Sequence, residues 1–183
     1  GGIWETLNIN ATNVVWNCLT NDIPAATVND LEIVNNTLYA SVSSVGTVGG
    51  EGDYYGLGVI RKDLNSSEWI IPKEKFDSYR MAISTSNPKV IYSVSNKKVH
   101  RSTDGGVTWE ALTDPVANIN DTRLYLEFVE VNPLNSDVAI VTGRLHKWAS
   151  VPDPTANLLV FRTEDGGKTW TNLTDSLETM IND

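Results

Sequence analysis

The chain has 183 residues, 40% of them hydrophobic, with a formal net charge of −9 and a pI near 4.6. That length suits one sizeable domain with its own core. The acidity argues against nucleic acid and anionic lipid as partners, and no apolar run approaches the length of a membrane span. One cysteine and two histidines, all far apart, leave no disulfide framework and no metal-ligand spacing, so neither a metal nor a cofactor is expected.

In chain order, residues 1–8 hold a first strand at 4–7, which reads as the last strand of a preceding unit. Residues 9–27 read as a connection. Within it, Trp16 and Cys18 lie in the apolar run Val14-Val15-Trp16-Asn17-Cys18-Leu19. Both are expected to be buried, Cys18 as a small hydrophobe rather than a reactive thiol. Strands then come in fours. Residues 28–72 hold 30–35, 37–44, 56–62 and 67–71. Residues 73–113 hold 80–85, 89–95, 98–102 and 107–112. Residues 114–175 hold 124–131, 137–143, 158–163 and 168–173. Apolar runs such as Val90-Ile91-Tyr92-Ser93-Val94 suit buried inner strands. Helical periodicity is confined to 175–181, at the start of the tail 176–183.

Two units carry one motif. Ser102-Thr103-Asp104-Gly105-Gly106-Val107-Thr108-Trp109 and Thr163-Glu164-Asp165-Gly166-Gly167-Lys168-Thr169-Trp170 both read [ST]-x-D-x-G-x-T-W. Each follows an arginine, Arg101 or Arg162. Arg61 heads a third stretch of equal length that ends on Trp69 but lacks the Asp and the Gly. Gly2-Ile3-Trp4-Glu5-Thr6-Leu7 matches Gly106-Val107-Thr108-Trp109-Glu110-Ala111-Leu112 with one residue missing. Asp-Gly-Gly is a tight-turn signal: the carboxylate can accept turn N–H groups, and glycine takes positive φ without steric cost. Thr and Trp then open a strand. Burying the indole under the turn is worth roughly 3 kcal/mol. Ser102, Asp104, Gly106, Thr108 and Trp109, with Thr163, Asp165, Gly167, Thr169 and Trp170, are therefore read as scaffold.

The motif resembles the Asp-box, or BNR repeat. The chain is similar to the Asp-box β-propellers, which include sialidases, sortilin-like receptors, xyloglucanases and photosystem assembly factors. The resemblance implies an all-β propeller of four-stranded antiparallel blades, here about three blades plus one leading strand. So few blades do not close a ring, and open faces need a cover: the rest of a longer propeller, or a second chain. The resemblance also places ligands on the face opposite the boxes, where the loops between second and third strands lie. Two of these are long. Residues 45–55 carry Glu51, Asp53, Tyr54 and Tyr55, and residues 145–157 carry His146, Trp148 and Asp153. Carboxylates beside aromatics suit a glycan, and a protein ligand is the other expectation. The stretch Gly49-Gly50-Glu51-Gly52 lacks the phosphate-loop pattern.

The sialidase F-R-I-P element is absent; Phe161-Arg162-Thr163 matches only its first half, with an arginine already shared by the repeats. No catalytic residue is assigned. A xyloglucanase-like aspartate pair could come from Asp53, Asp121 or Asp153, but no spacing selects two of them. Five N-x-[ST] sequons, at Asn10, Asn35, Asn65, Asn120 and Asn172, are compatible with an exported glycoprotein. Two readings stand: a non-enzymatic binding or assembly module at the cell exterior, or a portion of a glycoside-hydrolase propeller.

Overall fold

The computed structural model describes residues 2–23, 27–44, 56–95, 97–117, 124–145 and 158–174. They form four antiparallel sheets. The first pairs β1 (Trp4–Glu5) with β2 (Asn17–Cys18). The second has the order β3 (Thr27–Val34), β4 (Thr37–Ser43), β5 (Gly58–Asp63). The third runs β6 (Arg80–Ile83), β7 (Ile91–Ser95), β8 (Lys98–Ser102), β9 (Glu110–Ala111). The fourth runs β10 (Leu124–Val131), β11 (Ala139–Leu145), β12 (Leu158–Thr163), β13 (Thr171–Asn172). Chain neighbours are sheet neighbours throughout, the order that tight connections impose. The β3–β4 turn shows the local cause: Asn35 and Asn36 have φ of 48° and 63°, a left-handed pair that matches strand twist.

The outer strands are shorter than expected, for a reason visible in the turns. The N–H groups of Val107 and Thr108 donate to the Asp104 carboxylate, so β9 starts only at Glu110. In the second sheet the expected strand at 67–71 reduces to a bridge between Arg61 and Ile70. The register is nevertheless constant, because Arg101 faces Glu110 and Arg162 faces Thr171 at the same spacing. A turn that has lost its Asp and Gly still delivers its strand to the same place.

The segment 9–27 is more than a connection. It supplies β2, whose Cys18 and Asn17 face Trp4 and Glu5, so the first strand has a partner. The Leu19 N–H also donates to the Ile3 carbonyl at 2.8 Å, and the Ile3 N–H donates to Thr20 Oγ1 at 3.0 Å. The apolar run at 14–19 meets an exposed backbone edge and pairs with it. Burial differs from expectation too. Trp16 is 52% exposed and Cys18 is half-buried, because a two-stranded sheet covers one face only. The expected tail helix lies outside the described residues.

Among the described residues the core forms three layers, each between consecutive sheets. Strand alternation sorts side chains between them. Leu38, Ala40 and Val42 of β4 pack with Ile3 towards the first sheet, whereas Tyr39 packs with Ile83, Ile91 and Trp109 towards the third. Tyr92 and Val94 of β7 pack with Leu126, Val141 and Phe161 of the fourth sheet. Full burial of a side chain such as Ile60, Ile91 or Leu126 contributes roughly 2 kcal/mol. A buried hydroxyl chain adds polar registration: Ser78 Oγ lies 2.8 Å from Ser41 Oγ and 2.7 Å from Ser93 Oγ.

Candidate functional site

The two Asp-Gly-Gly turns are built alike. Asp104 Oδ1 accepts the Val107 and Thr108 N–H groups at 3.0 Å each and the Ser102 hydroxyl at 2.8 Å; Oδ2 accepts the Thr108 hydroxyl at 2.6 Å. Ser102 Oγ in turn accepts the Gly106 N–H at 2.8 Å. Asp165 accepts the Thr163 hydroxyl and the Thr169 N–H at 2.9 Å each and the Thr169 hydroxyl at 2.6 Å, while Thr163 Oγ1 accepts the Gly167 N–H at 2.8 Å. Both glycines of each turn have φ between 76° and 88°, which a side chain would strain. Burial works to raise the Asp104 pKa, but the bonds from Thr108, Ser102 and Val107 outweigh it and hold the carboxyl at about 2. The Thr169 bonds hold Asp165 well below the usual carboxylate range. Carboxylates so fully occupied by donors are poor proton carriers.

The repeated arginines act between sheets. A Cβ on Gly166 would stand 2.5 Å from Arg101 Nη1, and one on Gly105 would stand 3.9 Å from Arg61 Nη1 and 3.8 Å from the Tyr39 hydroxyl. Each arginine therefore lies over the glycine turn of the following sheet. Arg101 also pairs with Asp137 of that sheet and lies 5.4 Å from the Tyr92 ring centroid. Tyr39 faces Arg61 across its strand pair as Tyr92 faces Arg101. Asp137, Tyr39 and Tyr92 carried no signal in the sequence, since their role depends on a contact between units.

The inner strands bring acids together. Asp30 Oδ2 accepts the Met81 N–H at 3.1 Å, and Arg80 donates to the Asn29 carbonyl. Glu32 is half-buried. Burial first, then the charges of Asp30 and Glu130, push its carboxyl up to about 7 against the backbone hydrogen bond from Ile83. Glu127 pairs with Arg144 at 2.8 Å. Among the described residues, no cluster of His, Cys, Asp and Glu could hold a metal ion. No helix there is long and apolar enough to cross a membrane.

All seven loop residues picked as ligand-binding candidates, Glu51, Asp53, Tyr54, Tyr55, His146, Trp148 and Asp153, lie outside the described residues, as does Asn120. The sequon asparagines Asn10, Asn35, Asn65 and Asn172 are exposed. Asn35 and Asn65 lie on adjacent turns, tied by the Leu64 N–H to the Asn36 carbonyl at 2.9 Å.

No family model and no curated protein matches the chain. Solved structures do. An ancestral GH74 enzyme matches with a TM-score of 0.62 at 20% identity, over 87% of this chain and 22% of its own. The GH74 xyloglucanase of Xanthomonas campestris matches with 0.50 at 11% identity, over 85% and 37%. YCF48 bound to D1 peptide matches with 0.51 at 14% identity, over 93% and 44%. The chain folds as blades of a β-propeller. It spans less than half the length of each of these matches. The second, third and fourth sheets are blades, and the arginines lie at the blade-to-blade junctions.

Proposed function

We propose that the chain is part of an Asp-box propeller of the sialidase and sortilin-like superfamily, and that it binds a glycan or protein ligand at the cell exterior without catalysing a reaction. One observation carries this reading: the carboxylates of both boxes are occupied by the donors of their own turns. The most conspicuous acids of the sequence thus serve folding. That leaves for recognition the loop residues that the Asp-box resemblance assigns to the opposite face, Glu51, Asp53, Tyr54, Tyr55, His146, Trp148 and Asp153. The neighbouring folds support a scaffold open to either use, since one is a xyloglucanase and another holds a peptide. The exposed sequons support an exterior location.

A second reading, a portion of a glycoside hydrolase, is favoured by Glu32, whose carboxyl near 7 beside Asp30 and Glu130 suits proton exchange at neutral pH. One comparison separates the two. The protein is screened on a glycan array and a peptide panel, and assayed for hydrolysis of xyloglucan and sialosides. The binding reading expects retention without turnover, weakened tenfold or more in Tyr54→Ala or Trp148→Ala. Turnover that disappears in Asp53→Ala, Asp153→Ala or Glu32→Gln would overturn it. Native mass before and after glycosidase treatment tests the exterior location; an unmodified mass removes its support.

A further inference from the structure

Two junctions join the second, third and fourth sheets, and they differ in what meets the arginine and the tyrosine. In the later junction both side chains are matched. Arg101 pairs with the Asp137 carboxylate, and the Tyr92 hydroxyl donates to the Ser136 carbonyl at 2.8 Å. These groups fill the space over the first glycine of the turn. A Cβ on Gly166 would stand 2.5 Å from Arg101 Nη1 and 3.2 Å from Asp137 Oδ1.

In the earlier junction Arg61 and Tyr39 hold the same places. Lys89 stands where Asp137 stands, its carbonyl accepting the Gly105 N–H at 2.8 Å, and Pro88 precedes it where Ser136 precedes Asp137. Among the described residues Arg61 has no ion-pair partner, its buried Nε has no hydrogen-bond partner, and the Tyr39 hydroxyl has none. Yet the two side chains converge. The position of a Cβ on Gly105 lies 3.8 Å from the Tyr39 hydroxyl and 3.9 Å from Arg61 Nη1, and beyond the turn itself no other described atom comes within 4 Å of it. Two donors converging on one point, one of them a guanidinium, suit an anion. The later junction supplies the chemistry, because there a carboxylate oxygen holds the equivalent place over Gly166. The ionised acid of the turn is no obstacle: the turn that Arg101 reaches holds Asp165, as the turn that Arg61 reaches holds Asp104.

We propose that Arg61, Tyr39 and Lys89 form a binding site for a carboxylate ligand at the junction of the second and third sheets. The guanidinium and the tyrosine hydroxyl donate to the carboxylate, and the exposed Lys89 adds positive charge beside it. The site is built from the two sheets it joins and uses none of the loop residues proposed for recognition. A simple organic acid and an acidic sugar present the same group, and the choice of probe separates them.

NMR spectra of the backbone amides and arginine Nε–H groups of the full chain, titrated with sodium acetate and with sodium glucuronate against sodium chloride at equal ionic strength, test this. Saturable shifts are expected at Gly105, Gly106 and Arg61 Nε, with a dissociation constant on the order of 1 mM for so small a ligand. Gly166, Gly167 and Arg101 should stay still, because Asp137 already holds that place. A lower constant for glucuronate assigns an acidic sugar; equal constants assign the carboxylate alone. Lys89→Asp puts a carboxylate of the chain into the site and should abolish the shifts. Arg61→Met should weaken binding about tenfold or more. Asp137→Ala should free Arg101 and create a second site that moves Gly166 and Gly167. Lys89 and Asp137 are both exposed, and thermal unfolding of each variant checks a retained fold. A wild type without saturable shifts at Gly105 overturns the proposal. Equal shifts under chloride, shifts that survive Lys89→Asp and Arg61→Met, or an Asp137→Ala variant whose Gly166 stays still overturn it equally.

Discussion

Lys89 stands in the third sheet where Asp137 stands in the fourth. The backbone carbonyl of each accepts the N–H of the first glycine of its turn, Gly105 at 2.8 Å and Gly166 at 2.9 Å. An arginine of the preceding blade reaches each turn; Arg101 meets the Asp137 carboxylate there, whereas the equivalent position beside the turn that Arg61 reaches is held by Lys89. Lys89→Asp should give Arg61 the partner that Arg101 has. In the existing pair the arginine side chain is 13% exposed and the aspartate 55%, between a buried and a surface pair. Such a pair is worth about 1 kcal/mol when the guanidinium is also held against a tyrosine ring, and loss of the like charge adds roughly 0.3 kcal/mol. For a chain of this size the gain raises Tm by about 2–5 °C. Calorimetry and urea unfolding of the wild type, Lys89→Asp, Arg61→Met and the double variant close a thermodynamic cycle. The gain should vanish without Arg61. No stabilisation, or an equal gain in the Arg61→Met background, would refute the junction as described.

Asp104→Ala removes the acceptor of four turn hydrogen bonds and should cost about 2 kcal/mol in urea unfolding; Asp104→Asn keeps one acceptor oxygen and should cost less. His100 is buried, stacked 4.0 Å from the Phe76 ring, with Nδ1 unbonded. Burial first, then Lys98, lowers it from 6.5 to about 4. The unfolded chain takes that proton first, so stability should fall as pH drops from 6.5 to about 4, by up to about 3 kcal/mol, and His100→Phe should flatten the slope. Glu32 acts in the opposite sense. Its folded value of about 7 lies above the ordinary 4.5, so its contribution is full below 4.5 and is lost as pH rises through 7. Glu32→Gln should remove that decline in a pH series of thermal melts.

The strands at 98–102, 124–131 and 158–163 were legible to the residue, because alternation and bounding turns coincide there. The turn motif was legible because its chemistry is local: acceptor, donors and glycines lie within eight residues. The outer strands were over-read, because Val107 and Thr108 have strand-like side chains but give their N–H groups to Asp104. Pairing of 17–18 with 4–5 was missed because a two-residue ladder leaves no periodicity. The arginines were recognisable as repeated and structural, yet their contact was hidden: Asp137 lies 36 residues from Arg101. Nothing in the sequence singled out Glu32; its burial and the approach of Asp30, Glu130 and the Ile83 backbone distinguish it.

The central claim is that the conspicuous aspartates of the repeat are scaffold, held ionised by the donors of their own turns. Carbon-detected NMR titration of the side-chain carboxyls of Asp104 and Asp165 in the native protein tests it most directly. Both should remain ionised through pH 3, with Asp104 titrating at about 2 and Asp165 lower still. A midpoint for either at or above the ordinary value of 3.8 would contradict the account, since a carboxylate free to take a proton there is not locked into its turn.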